Sequence, residues 1–465
     1  MNYADNKVTD LNIAYIGGGS RGWAWTFMTD IAMDKSLSGT IRLYDLDESS
    51  AQNNEIIGNR LAEREDVDGK WNYITCQSLE ESLTGCDFVV ISILPGTFEE
   101  MGSDVHLPER LGIYQSVGDT TGPGGIIRAL RTIPMFIKIA ETIKEYAPNA
   151  WVINYTNPMS LCVKALYHTF PQIKAFGCCH EVFGTQKVLK GICEEVLGLQ
   201  DIDRQDILTN VLGINHFTWF DKASYKGIDL FPVYRKYIDE HYEEGYREHD
   251  QNWANTSFDC AHRVKFDLFN RYGLIAAAGD RHLAEFMPGE EYLKDPETVK
   301  SWKFGLTTVD WRKGDLLFRL ERSKRLLNKE EEIELKPTGE EGVLLIKSLC
   351  GLGQIISNVN IPNTQLQIPN LPVEAIVETN AVFSRDSIQP IMAGDVPENI
   401  KKLIIPHINN HERTLKASIT WDRTLVYEAF LNDPLVSGRA SEEEIKKLAD
   451  DMIDNTKSYL PIGWN

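Results

Sequence analysis

The chain is short of basic residues: its 465 positions hold 48 Lys and Arg against 68 Asp and Glu, a formal charge of −20. A basic face that neutralises a polyanion is not expected, and phosphate-backbone binding is set aside as a function class. No run of about 18 apolar residues occurs, which excludes an ordinary membrane-spanning helix. Residues 1–10 are polar and include the acids Asp5 and Asp10, without the basic start and apolar stretch of a secretory signal. The expected location is cytoplasmic. The eight cysteines (76, 86, 162, 178, 179, 193, 260 and 350) contain no CxxC pair and are too sparse for a disulfide framework, so most are read as buried thiols. Internal repeats and low-complexity tracts are also missing.

What is present is the composition of a folded protein, 42% hydrophobic and 25% charged, with enough chain for a large core. Asn12–Ile16 reads as a short apolar strand that runs into Gly17-Gly18-Gly19-Ser20-Arg21-Gly22 and then a helical stretch from Trp23 to about Met33. Strands are predicted at 41–44, 71–76, 88–93, 151–154 and 173–177, with helical patterns between them, among them 48–64, 125–146 and 161–169. Such alternation predicts an α/β fold with a parallel sheet covered on both faces. After about Gly184 the apolar runs shorten and aromatics scatter, so a sheet domain is expected over 1–184 and a second domain over 185–465. Residues 208–225 read as extended chain, 328–342 as a solvated helix end and loop, 355–383 as strands joined by turns, and 398–457 as mostly helical.

Gly17, Gly19 and Gly22 satisfy G-x-G-x-x-G directly after a strand and at the opening of a helix. The first glycine permits the tight turn, the second the approach of a pyrophosphate, and the third close helix packing. Asp45, at the end of the next strand, is the acid expected to take ribose hydroxyls and repel a 2′-phosphate, which favours NAD over NADP. Gly17, Gly18, Gly19, Ser20, Gly22 and Asp45 are therefore the predicted cofactor site.

Further motifs follow. Residues 118–134 run from a glycine-rich turn carrying Asp119 into a helix bearing Arg131, and read equally well as a ligand-facing loop or as a plain helix entry with Arg131 covering a surface. Asn157, held extended by Pro158, lies just after a strand, at the sheet edge where open α/β folds bind ligands. Cys178-Cys179-His180-Glu181 ends the next strand, and His216 follows in Ile214-Asn215-His216-Phe217. A thiolate and an imidazole could share a divalent metal, for which softness points to zinc; single buried Cys and His residues are also commonly inert. Asp280-Arg281-His282 places an acid, a cation and an imidazole in consecutive positions, as a site or an exposed loop would.

In order along the chain, IGGGS, GPGGIIRALRTIP, YTNP, GCCHEV, GINH, GDRHLAEF and NIPNTQLQIPNLP resemble glycoside hydrolase family 4, the NAD- and divalent-metal-dependent glycosidases. The resemblance spans nearly the whole chain. It implies a Rossmann-like NAD-binding domain of the lactate/malate dehydrogenase type, followed by a C-terminal α+β substrate domain, in a homodimer or homotetramer. It also implies hydrolysis outside the two-carboxylate scheme: NAD⁺ takes hydride from sugar C3, a base removes the acidified C2 proton, the glycosidic oxygen leaves by elimination, water adds, and the hydride returns. By match to the family motifs, Cys179 and His216 ligate the metal, with Mn²⁺ the family's usual choice against the zinc that softness suggested. Asn157 holds the sugar and Asp280 is the C2 base, while His180 and Asp119 compete as the acid for the leaving oxygen.

The letters Cys179-His180-Glu181-Val182 lack the Asn and Pro of relatives that cleave 6-phosphoglycosides and look most similar to the α-galacturonide subgroup. A uronate carboxylate needs a cation, for which Arg281 with His282 is the expected provider. The expected function is thus hydrolysis of a small uronic acid glycoside, with no nucleic-acid or membrane partner. Its rivals are an α-galactosidase or α-glucosidase of the same family, an NAD-dependent hydroxy-acid dehydrogenase, and a non-catalytic NAD sensor.

Overall fold

A computed structural model describes residues 1–247 and 260–464. The strands are β1 (Asn2–Ala4), β2 (Lys7–Ile16), β3 (Leu37–Tyr44), β4 (Trp71–Thr75), β5 (Phe88–Ile91), β6 (Trp151–Asn154), β7 (Lys174–Gly177), β8 (Ile207–Ile214), β9 (Phe217–Tyr225), β10 (Ile228–Asp229), β11 (Ile275–Ala276), β12 (Ile355–Pro362), β13 (Ile376–Ser384) and β14 (Ser387–Pro390). Six of them form a parallel array in the order β4-β3-β2-β5-β6-β7. That is the 3-2-1-4-5-6 order of the doubly wound dinucleotide-binding fold, with its switch point between β2 and β5.

The sheet is buried on both faces because its central strands are apolar at successive positions. On β2 and β5, Ile13, Tyr15, Phe88 and Val90 enter one cluster with the helix Trp23–Ala32. Ala14, Ile16, Val89 and Ile91 enter another with the helices Gly122–Tyr146 and Met159–Thr169. The period-two alternation of side chains thus supplies a core to each layer.

The later half of the chain builds on this sheet. Strand β12 pairs antiparallel with β7 at Asn360 and Gly177, and β13 and β14 extend the sheet to ten strands, with β1 pairing on β2. The segment beyond residue 184 therefore contributes three strands to the first sheet as well as a four-stranded antiparallel sheet of its own, β8 to β11. Helices Glu398–Thr420, Arg423–Leu431 and Glu442–Thr456 pack with the second sheet around Phe217, Trp219 and Phe286. No helix among the described residues is long and apolar enough to cross a membrane.

Arg131 is a structural pin and covers no surface. It is fully buried and grips Asp104 with two nitrogens at 3.1 and 2.5 Å, reaching also Thr456 Oγ1 at 2.9 Å and the Pro95 carbonyl at 3.3 Å. The pair ties the long central helix to the helix Phe98–His106, and Arg131 ties it also to the C-terminal end of the helix Glu442–Thr456. Removing one partner strands a charge in low dielectric. Arg131→Met is expected to lower stability by about 3–5 kcal/mol in urea unfolding, and the double variant Asp104→Leu/Arg131→Met to recover a substantial part of it.

Candidate active site

The glycine turn after β2 is shaped for close approach. Gly17 has φ +93°, and a Cβ there would fall 2.0 Å from the Ser92 carbonyl oxygen. A Cβ on Gly19 would meet Ser50 Cβ at 2.6 Å and Asp45 Oδ2 at 3.0 Å. Gly17 and Gly18 donate to the Tyr44 carbonyl, and Asn54 Nδ2 donates to the carbonyls of Gly18 and Ser20. Asp45 stands at the loop, accepting from the Gly19 N–H at 2.9 Å. The helix Trp23–Ala32 starts at Gly22 with no side-chain cap and no acid in its first turn, so its leading N–H groups remain available to an anion. These features fit a dinucleotide.

At the carboxyl edge of the sheet, the two-residue turn Asn215-His216 between β8 and β9 brings an imidazole over the Asp119 loop. His216 has φ +62°. One donor atom each from Asp119, His216 and His282 lies within 4.8 Å of the others, and the two imidazole rings stack at 3.8 Å between centroids. Thr120 Oγ1 contacts Asp119 Oδ1 at 2.7 Å and His216 Nδ1 at 2.8 Å. The hydroxyl has one proton, which the ionised carboxylate takes, so His216 donates through Nδ1–H and keeps a lone pair on Nε2. Burial disfavours charge on Asp119, yet His282, Arg128, His216 and Arg312 together hold its carboxyl well below the usual range. Burial, then His282, pushes His216 down to about 3, and burial lowers His282 as well. Both imidazoles are neutral near pH 7 and able to ligate.

Asn157 Nδ2 donates to Asp119 Oδ2 at 3.4 Å, and the amide's buried Oδ1 has no partner among the described residues. Two neutral imidazoles and a carboxylate form an N/O donor set that fits a harder divalent cation such as Mn²⁺ better than a thiolate-rich zinc site would. Glu181 stays ionised despite burial, through His282, His180 and His216 and through the Gly279 N–H donating to it at 2.6 Å.

The other residues expected from sequence are placed as follows. His180 is half exposed at the mouth, its Nδ1 3.4 Å from Glu340 Oε1 and its ring 5.8 Å from Trp23. Cys179 is buried beside Asn215 and Glu378, its thiol pushed well above the ordinary range by burial and then by the carboxylates of Glu378 and Glu181. It is not one of the three converging donors. Asp280 is fully buried and accepts from the N–H groups of Val264 and Lys265 at 3.1 and 3.2 Å, capping the helix Arg263–Tyr272. Arg281 donates to Thr307 Oγ1 at 2.7 Å.

Several site residues escaped the sequence reading. Glu285 accepts from the N–H groups of Val117 and Gly118 at 2.7 and 2.8 Å and so fixes the entry to the Asp119 loop; burial pushes it up to about 8. Its signal was present in the GDRHLAEF run. Thr120 and Arg128 lie inside segment 118–134, whereas Arg312 sits on the helix Val309–Asn328, which bears no motif.

The sequence matches the family 4 glycosyl hydrolase model over residues 12–195 and the family 4 C-terminal domain model over 211–436. It is 69% identical to an α-galacturonidase of Lachnoclostridium phytofermentans across 465 residues, the whole of both chains. An α-galacturonidase of Bacillus subtilis is 52% identical over 448 residues, 96% of this chain and 98% of that one. A 6-phospho-α-glucosidase from gut microorganisms, crystallised with NAD and Mn²⁺, shares the fold at a TM-score of 0.78 and 18% identity, over 97% of this chain and 99% of its own. The fold and the matches define a glycosidase built on a dinucleotide-binding α/β sheet. The chain belongs to glycosyl hydrolase family 4.

Two outcomes are expected. Gly19→Ala displaces the Asp45 carboxylate and should weaken NAD⁺ binding by more than about tenfold in calorimetry, with a far smaller loss of stability than Arg131→Met. Glu285, protonated in the fold while ionised in the unfolded chain, stabilises fully below its ordinary value of 4.5 and loses that contribution as pH rises toward about 8. Its share of the slope is at most about 1.4 kcal/mol per pH unit. Glu285→Gln, which keeps the acceptor, should flatten the fall in stability between pH 5 and 8, read by denaturant midpoints.

Proposed function

We propose that the protein hydrolyses α-galacturonides with the help of a bound NAD and a divalent metal, Mn²⁺ in the first instance. The observation that carries the reading is the convergence of Asp119, His216 and His282 beside Asn157, at the carboxyl edge of the sheet whose Gly17–Gly22 turn fits a dinucleotide. Full-length identity of 69% to an α-galacturonidase supports the uronide as the sugar.

When bound, the two groups supply a reversible hydride acceptor and a Lewis acid. The chain's own residues do the rest. His216 offers Nε2 to the metal, and Cys179, two residues beyond the end of β7, is the second ligand in this reading. Asn157 orients the sugar through its free amide oxygen. Asp119 is kept ionised, so it has no proton to give; His180, at the mouth beside Glu340, is the better placed acid for the leaving oxygen. Asp280 acts as the C2 base in this reading, which requires its release from the helix it caps. A cytoplasmic setting suits eight cysteines that are all free thiols, and we propose self-assembly into a homodimer or homotetramer.

The test is a panel of nitrophenyl α-glycosides assayed with and without NAD⁺, Mn²⁺ and dithiothreitol. Turnover of the galacturonide is expected only when cofactor and metal are both supplied, at a rate well above that of the galactoside. Faster cleavage of the neutral sugar would select the α-galactosidase rival, and undiminished turnover after complete removal of dinucleotide would defeat the oxidative scheme.

A further inference from the structure

Three guanidinium groups surround the Asp119 corner of the cleft. Arg128 donates from Nε to the Asn157 carbonyl at 3.0 Å, and Arg281 donates from Nη1 to Thr307 Oγ1. Arg312, in the first turn of the helix Val309–Asn328, lies within electrostatic reach of Asp119, Arg128, Arg281 and Glu285. Its Nε is buried and has no hydrogen-bond partner among the described residues. Asp119 does not serve as that partner: its two oxygens accept from Thr120 and Asn157, and neither lies within hydrogen-bond reach of this Nε.

The charge count at this corner is lopsided. Arg312 itself has two like charges nearby, Arg128 and Arg281, against the carboxylate of Asp119 and a Glu285 that burial pushes up to about 8. Burial with like charges nearby makes the guanidinium costly to keep ionised, and loss of a proton does not relieve it, because an arginine holds its proton. A buried donor without an acceptor costs free energy until a ligand supplies one.

Arg319, seven positions along and about two turns away on the same helical face, donates to the Arg21 carbonyl, and its Nη1 lies 2.6 Å from where a Gly22 Cβ would stand. One helix thus touches the dinucleotide turn with Arg319 and the sugar corner with Arg312. The dinucleotide turn has its own arginine, which leaves Arg312 to the sugar.

We propose that Arg312 receives the C6 carboxylate of the bound uronide and is the residue that sets the preference for an acidic over a neutral galactoside. The proposal rests on the α-galacturonidase reading and replaces Arg281 as the principal cation. A carboxylate offers the planar pair of oxygens that a guanidinium fork matches. The hydroxymethyl group of galactose offers one neutral oxygen and leaves the local excess of positive charge unbalanced.

The test compares wild type, Arg312→Lys and Arg312→Met as holoenzymes with NAD⁺ and Mn²⁺, on nitrophenyl α-galacturonide and α-galactoside. Arg312→Met should lose on the order of a hundredfold in kcat/KM for the galacturonide, mainly through KM, and a much smaller factor for the galactoside. Arg312→Lys keeps the charge without the fork and should fall between. Free galacturonate binding, measured by calorimetry on the same proteins, should weaken in the same order, and thermal melting separates a fold defect from lost recognition. Equal losses on both sugars in the well-folded Arg312→Lys protein, or unaltered preference in either variant, would overturn the proposal. Failure of the wild type to cleave the galacturonide would instead defeat the parent reading, and this assignment with it.

Discussion

The cleft is organised around one ionised carboxylate held in a buried place. Asp119 keeps its charge near neutral pH because the guanidinium groups of Arg128 and Arg312, together with the Thr120 hydroxyl and the Asn157 amide that donate to it, offset the cost of desolvation. That charge then fixes its neighbours. It takes the Thr120 hydroxyl proton, which turns His216 to donate through Nδ1 and leaves Nε2 free; it takes the Asn157 amide N–H, which leaves that side chain's oxygen free. A single electrostatic preference thereby leaves the His216 Nε2 to a cation and the Asn157 oxygen to a sugar, both beside the same carboxylate.

The parallel sheet makes this possible by delivering loops to one edge. The Gly17 turn, the Asn157 turn and the Cys179 turn all follow strands of the same array, so their positions relative to one another are set by backbone registers such as Ile91 with Asn154 and Asn154 with Gly177. The second lobe closes the site with a hairpin turn at His216 and with the short helix from Asp280 to Glu285. Glu285 reaches back to the Val117 and Gly118 N–H groups, so the two lobes clamp the Asp119 loop from both sides.

Much of this could be read from the letters. The strand and helix alternation, the glycine turn with Asp45, and the identities of Asp119, Asn157, His216 and His282 all follow from local pattern or from motifs in order. What could not be read was direction. Asp280 sits in a run dense with charge, yet its oxygens turn to a helix that begins at His262 without a side-chain cap of its own and whose open N–H groups recruit the carboxylate. The surroundings of Cys179 are set by Asn358 and Glu378, which arrive from β12 and β13 nearly two hundred residues later. Arg312 lies on a strongly polar stretch that looks like any solvated helix; only the fold reveals which of its arginines face a cleft.

The three C-terminal strands carry a mechanical consequence. Because β12 is laddered to β7 through Asn360 and Gly177, and β13 and β14 follow it, the later half of the chain is stitched into the same continuous sheet as the nucleotide-type strands. The two halves cannot swing apart like the shells of a clam without tearing that seam.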